Sequence, residues 1–430
     1  AIRANDSSAS RMARAYLDAF AEDTRGRGLR DSADSRMAKA SEISDSKALA
    51  RWRALDLFRL IAVVLMVQGH VFTELLDPAV RAEPWYVHHR SLHGLTAPIF
   101  FFSSGLAFGV ATIRHWREHI EWGPAVRRRF ERYGWLLFIG YGLNLPKLSL
   151  RRVLSDATGE NARAFLRVDA LENIAVSLSI LQLLVWLTKV PRRFTWGAFV
   201  LATAFVFAAP LAADTDAEGW LPLGFAAYVN SQTGSFFPLF PWTGFIFLGA
   251  VAAYLSTTVD GALRRGRAAG FALTGLGCWL LAQGYERAGA AVPVAPDDWQ
   301  SSPTVFLTRL GLVMMAFAVL CAYESFFRER TNAPRSESPD LVQRLSRETL
   351  VIYVVHLVLL YWWPEDVGLS ERWAPGLGVV GALLVAAVVF VVSCAAALSW
   401  AQVRRRYPHG FRRFQLVSAA ALLLISLVKP

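Results

Sequence analysis

The chain has 430 residues, of which 54% are hydrophobic and only 18% charged, with a mean hydropathy of +0.34. Such a balance excludes a string of ordinary soluble domains. A net charge of +11 and a pI of about 9.9 would suggest a nucleic-acid binder in a soluble chain. Here the apolar runs dominate, the excess base falls in loops between them, and nucleic acid is not expected as a partner. Fifteen Trp and 28 Phe suit interfacial belts and lipid-facing surface.

Residues 1–50 are rich in Ser, Ala, Asp and Arg and contain no apolar run. They read as a separate polar segment, expected to be disordered, without the pattern of a signal or transit peptide. Residues 51–430 read as one multi-span domain. Cys278, Cys321 and Cys394 all lie within apolar runs, far apart and without metal-ligand spacing, so neither a disulfide framework nor a metal site is expected.

From Leu55 onward, apolar runs alternate with short charged loops. About eleven spans follow, at 55–76, 94–113, 132–148, 168–189, 194–212, 237–256, 268–286, 304–326, 347–363, 375–400 and 412–430. The expected fold is an all-α integral membrane protein. The third span carries Gly134, Gly140, Gly142 and Pro146, so it is expected to kink or stop short. With Arg51 and Arg53 placed inside, the inside loops hold about 22 Lys and Arg and the outside loops about nine. That asymmetry places the N-terminus inside and the C-terminus outside.

The first span, LDLFRLIAVVLMVQGH, carries charge along its length. Asp56 and Arg59 are three residues apart, so they share a helical face and can pair near the inner surface. His70 lies about three turns beyond Arg59 on nearly the same face. An interfacial ion pair with a helix-end histidine would account for the pattern, but Gln68 and Gly69 beside His70 point to a cavity-facing surface. The following hairpin, WYVHHRSLHGL, supplies His88, His89 and His93. With no HExxH-type pattern among them, a neutral imidazole suits a general base better than a zinc ligand.

In RRRFERY, Arg128 and Arg132 stand four apart and can clamp a phosphate between them, or simply meet anionic lipid. FLRVDALENIAVSL places Asp169 and Glu172 at the start of a span, at a substrate site or a hydrated surface. In SRETLVIYVVHLVLLY, Tyr353 and His356 lie within a span, where His356 either meets a partner from another helix or lines a cavity.

Taken in order, these stretches resemble the transmembrane acyltransferase superfamily. Its opening helix shows the spacing of Arg59 and His70, its inside loop an RxxxR like Arg128 and Arg132, and its late span a Tyr-then-His ending like ETLVIYVVH. Within the superfamily the chain is most similar to the catalytic domain of heparan-α-glucosaminide N-acetyltransferase and its bacterial relatives. There a histidine precedes a Trp-Asn-Gly-Leu-Thr run, and the matching HRSLHGLT sets His89 on the active histidine. The sequence departs from that pattern at Leu60, at Leu92 and His93 in place of Trp-Asn, and at Glu172 where Gln is common.

The resemblance implies transfer of an acyl group, acetyl above all, from cytoplasmic acyl-CoA to an extracytoplasmic or cell-envelope saccharide. Arg128 and Arg132 would hold the CoA phosphates, with Arg59 and Asp56 near the donor mouth. His89 and His70 would be the catalytic pair, and His93, Glu172, Asp169 and His356 would lie on the substrate side. The implied partners are acyl-CoA, a saccharide, the bilayer of a bacterial inner membrane and, optionally, a second copy of the chain. The rival reading is a proton-coupled permease or exporter with a histidine relay.

Overall fold

The computed structural model describes residues 52–156, 159–258, 266–287, 301–331, 340–361, 368–372 and 375–429. The polar segment 1–50 lies outside the described residues, as do parts of five loops used in the charge count. Each predicted span is met by a helix. In chain order these are α1 Arg53–Leu75, α2 Thr96–Arg114, α3 Pro124–Leu143, α4 Ala170–Thr188, α5 Pro191–Phe207, α6 Leu239–Thr258, α7 Arg267–Arg287, α8 Pro303–Thr331, α9 Thr349–Tyr361, α10 Val379–Arg406 and α11 Pro408–Val428. No strand occurs among the described residues, apart from an isolated bridge between Leu76 and Leu377. Seven of the apolar segments, centred on α1, α2, α4, α6, α8, α10 and α11, are long and apolar enough to cross a membrane. The chain is an all-α membrane protein.

Helix ends follow local chemistry. α3 starts about two turns before its predicted span because Gly123 is followed by Pro124 at the first helical position. The Arg127–Arg132 stretch is thereby helical, and the expectation that this span stops short is met at Leu143. Beyond it, Lys147 and Leu148 take positive φ values of 47° and 54°. α4 begins with a capping box, in which Asp169 accepts from the third helical residue while Glu172 accepts from the Asp169 amide at 3.2 Å.

α1 sits centrally and packs against α2, α8, α9, α10 and the short helix Leu341–Arg347. α2 in turn packs along α6, and the approach is set by glycine. A methyl at Gly105 would lie 1.7 Å from the Ile246 carbonyl oxygen, and one at Gly249 only 2.2 Å from that of Phe102. Apolar helices in lipid gain little from burial against each other, so such close backbone contact supplies the attraction. The loop between α2 and α3 is tied to the bundle by Gln182 of α4, which has no exposed surface and donates to the His119 carbonyl at 2.9 Å.

Two predictions follow from this packing. Gly249→Leu forces backbone apart and is expected to destabilise by about 2 kcal/mol or more, read as a lower detergent melting temperature. Burial first, and then the Arg129 charge, hold the His119 pKa down at about 4 against 6.5. The unfolded chain therefore takes up the proton first, and stability is complete above pH 6.5 and lost as pH falls toward 4. His119→Gln is expected to flatten the melting temperature across that window.

Candidate acyl-transfer site

One cavity of about 1020 Å³ runs along α1 and joins the two ends of the polar row anticipated there. Arg59, Arg129 and Arg132 line it at one end, and His70, His93 and Glu74 at the other. Between them the wall is mainly apolar, with Met66, Ala97, Phe100 and Leu136. Arg59 and His70 are separated by eleven residues, about 16 Å along the helix.

At the arginine end the guanidiniums of Arg59 and Arg129 are held by partners. Arg59 Nη2 donates to the Ser103 carbonyl at 3.1 Å, and Nε to Ser103 Oγ at 3.4 Å. Arg129 donates to Gln182 Oε1 at 2.9 Å, with its guanidinium 4.7 Å from the centre of the Phe108 ring. Of the two arginines expected to act together, Arg128 and Arg132, only Arg132 lines the cavity, and its companion on the wall is Arg129. Arg128 is exposed and off the wall, because one residue turns a helix by about 100°, whereas Arg129 and Arg132 share the cavity face. Asp56 is not on the cavity wall. It is buried at 3% exposure and accepts from Ser346 Oγ at 2.8 Å, which fastens α1 to the Leu341–Arg347 helix.

The histidine end gathers the four histidines expected there, His93 and His356 against His70 and His89 behind His93. The His70 ring lies 5.9 Å from that of His93 and 5.2 Å from that of His356. His93 approaches because Gly69 has no side chain, since a methyl there would lie 1.6 Å from His93 Cδ2. His356, of α9, has no exposed surface and backs His70 without lining the cavity itself. His89 stands one layer back, its ring stacked on that of His93 with centroids 6.3 Å apart. It shares a hydrogen bond with the Gln68 side chain and packs on Tyr86 and Phe72, behind His93 and off the cavity wall.

Asp169 and Glu172 do line the cavity, yet both are engaged in the capping box, and Glu172 also accepts from Asn144 at 3.4 Å. Glu74 accepts from the Tyr361 hydroxyl at 3.0 Å. Arg309 of α8 and Trp242 of α6 complete this end, with the guanidinium 5.6 Å from the ring centre. The sequence reading passed over Arg309, Arg129 and Gln182. A lone arginine in the apolar run FLTRLGLVMM was the available signal for the first, by the same logic that selected His70.

Chemically, the cavity offers cations at one end, imidazoles at the other, and an apolar corridor between. The family model described as an acyltransferase domain matches residues 52–399, a range that contains every wall residue named above. Neither a curated protein nor a solved structure matches the chain. With the matched range covering most of its length, the chain belongs to this acyltransferase-domain family of integral membrane proteins.

Proposed function

We propose that the protein transfers an acyl group, acetyl in the simplest case, from a cytoplasmic acyl-CoA to a saccharide on the opposite side of the membrane. The observation that carries this reading is the continuity of the cavity between the arginines and the histidine pair. Arg129 and Arg132 face phosphates of the donor, with Arg59 further along the same wall. Guanidinium groups suit phosphate because their donors are fixed in a fork. The apolar corridor accepts the pantetheine arm and brings the thioester toward His70. Loop charge supports an inside position for the arginine end.

At the histidine end, His70 takes the proton from an acceptor hydroxyl or amine. The acceptor oxygen or nitrogen bonds to the acyl carbon, the carbon–sulfur bond breaks, and the CoA sulfur leaves with the electron pair and is then protonated. His93 stands beside His70 on the wall, and His89, through Gln68, supports that surface. Trp242 offers an aromatic face, and Arg309, Asn144 and Glu74 offer polar groups, a combination that suits a sugar. HRSLHGLT and VDALENIAVSL favour a relationship to heparan-α-glucosaminide N-acetyltransferase and its bacterial relatives, and hence modification of a cell-envelope glycan at a bacterial inner membrane. Family membership favours group transfer over the permease alternative.

Binding is tested first with acetyl-CoA and CoA on purified protein, where either ligand is expected to raise the melting temperature. Arg129→Ala and Arg132→Ala are each expected to weaken acetyl-CoA binding by about 10- to 100-fold, the equivalent of one charge-assisted hydrogen bond. Arg128→Ala is expected to leave it nearly unchanged, and an equal loss in all three would sink the assignment of the wall pair.

Transfer is read with labelled acetyl-CoA and membranes carrying the protein. His70→Gln is expected to lower acetyl transfer by about 100-fold or more, the usual worth of a general base. His89→Ala, away from the cavity, is expected to keep measurable transfer.

A further inference from the structure

His356 has hydrogen-bonding contacts that fix the placement of protons on two rings. Its Nδ1 lies 3.1 Å from the carbonyl oxygen of Ile352, one turn earlier in α9. A carbonyl oxygen only accepts, and two facing lone pairs at that separation would repel. The proton of neutral His356 therefore sits on Nδ1, and its Nε2 carries the lone pair. That Nε2 lies 3.4 Å from Nδ1 of His70. The same reasoning requires His70 to donate, so its proton also sits on Nδ1.

The lone pair of His70 is then left on Nε2, on a ring that lines the cavity. The other groups around the pair do not compete for this arrangement. Tyr361 and His93 meet His70 by ring contact, at 6.3 Å and 5.9 Å between centroids. Glu74 accepts from the Tyr361 hydroxyl. Tyr353 packs edge-on to His356, with centroids 5.6 Å apart.

We propose that His356 is a positioning residue, one that locks His70 in the Nδ1–H tautomer and so makes Nε2 the atom presented to the acceptor. Its functional consequence rests on the reading of His70 as the general base. When Nε2 takes the acceptor proton, the Nδ1–H bond to His356 becomes charge-assisted, which stabilises the imidazolium as it forms. A base in the wrong tautomer loses most of its rate even when its position is unchanged.

The test uses the full chain in lipid nanodiscs with ¹⁵N-labelled histidine, and long-range proton–nitrogen spectra assigned with His70→Gln and His356→Gln. Both rings are expected as Nδ1–H tautomers in the unsubstituted protein. His356→Gln keeps an acceptor oxygen, so it is expected to retain the His70 tautomer and most of the acetyl-CoA turnover of membranes carrying the protein. His356→Phe removes the acceptor. It is expected to release His70 toward Nε2–H and to cut kcat about 100-fold with KM for acetyl-CoA unchanged.

An Nε2–H tautomer on His70 in the unsubstituted protein overturns the proposal. So does equal loss in the Gln and Phe variants, or full turnover in the Phe variant. Should His356→Phe fail to fold, the unsubstituted spectrum and the Gln variant decide between the same outcomes. Full turnover in His70→Gln would overturn the general-base reading itself, while the measured tautomer would stand.

Discussion

Arg59 enters an apolar bundle, where an isolated charge costs about 3 kcal/mol or more. The side chain is compensated across a helix interface, through the carbonyl and hydroxyl of Ser103. Ser103 is fully buried, so the bond exists only if α2 lies directly against α1. α2 is held from its other side, where Gly105 meets the Ile246 backbone and Gly249 meets that of Phe102. A polar requirement on one face of α2 and a steric permission on the other thus fix the first wall of the cavity together. Gln182 repeats the device for Arg129, bonding one side-chain end to the guanidinium and the other to the His119 carbonyl.

The opposite end is built by a different rule. Its carboxylates, Asp169, Glu172 and Glu74, are taken up by a capping box and by a tyrosine hydroxyl. They shape the wall beside the imidazole of His70. Burial against Ile352 and His70 also explains why His356 can stand in an apolar helix with no acidic neighbour. Each ring satisfies the other, as buried polar groups require.

Much of this was legible in the sequence. The eleven helices follow hydropathy because only a helix satisfies its own backbone in lipid, and Arg59 and His70 stood out because ionisable groups there are rare. What sequence could not supply was rotation and reach. Arg128 and Arg129 are equally basic neighbours, and the packing of α3 on α4, where Arg129 reaches Gln182, decides which faces inward. His88, His89 and His93 likewise lie in one short helix, Pro84–His93, and the absence of a side chain at Gly69 selects His93 for the cavity. Asp56 and Arg59 share a face by spacing, yet Ser346, some 290 residues away in the chain, engages the carboxylate.

The continuity of the cavity bears on how transfer proceeds. Were donor and acceptor bound in separate chambers, an acyl group would need a covalent carrier to pass between them. Here the arginine and histidine ends open into one space, so in the proposed reaction the thioester and the acceptor would meet beside His70. The hydrogen-bonding pattern supports the same route. A ring whose Nδ1 is committed to His356 has one nitrogen left, and using it as a nucleophile would leave the acceptor proton without that base. Direct transfer, with His70 acting only on the proton, therefore asks less of this geometry than an acyl-histidine path does.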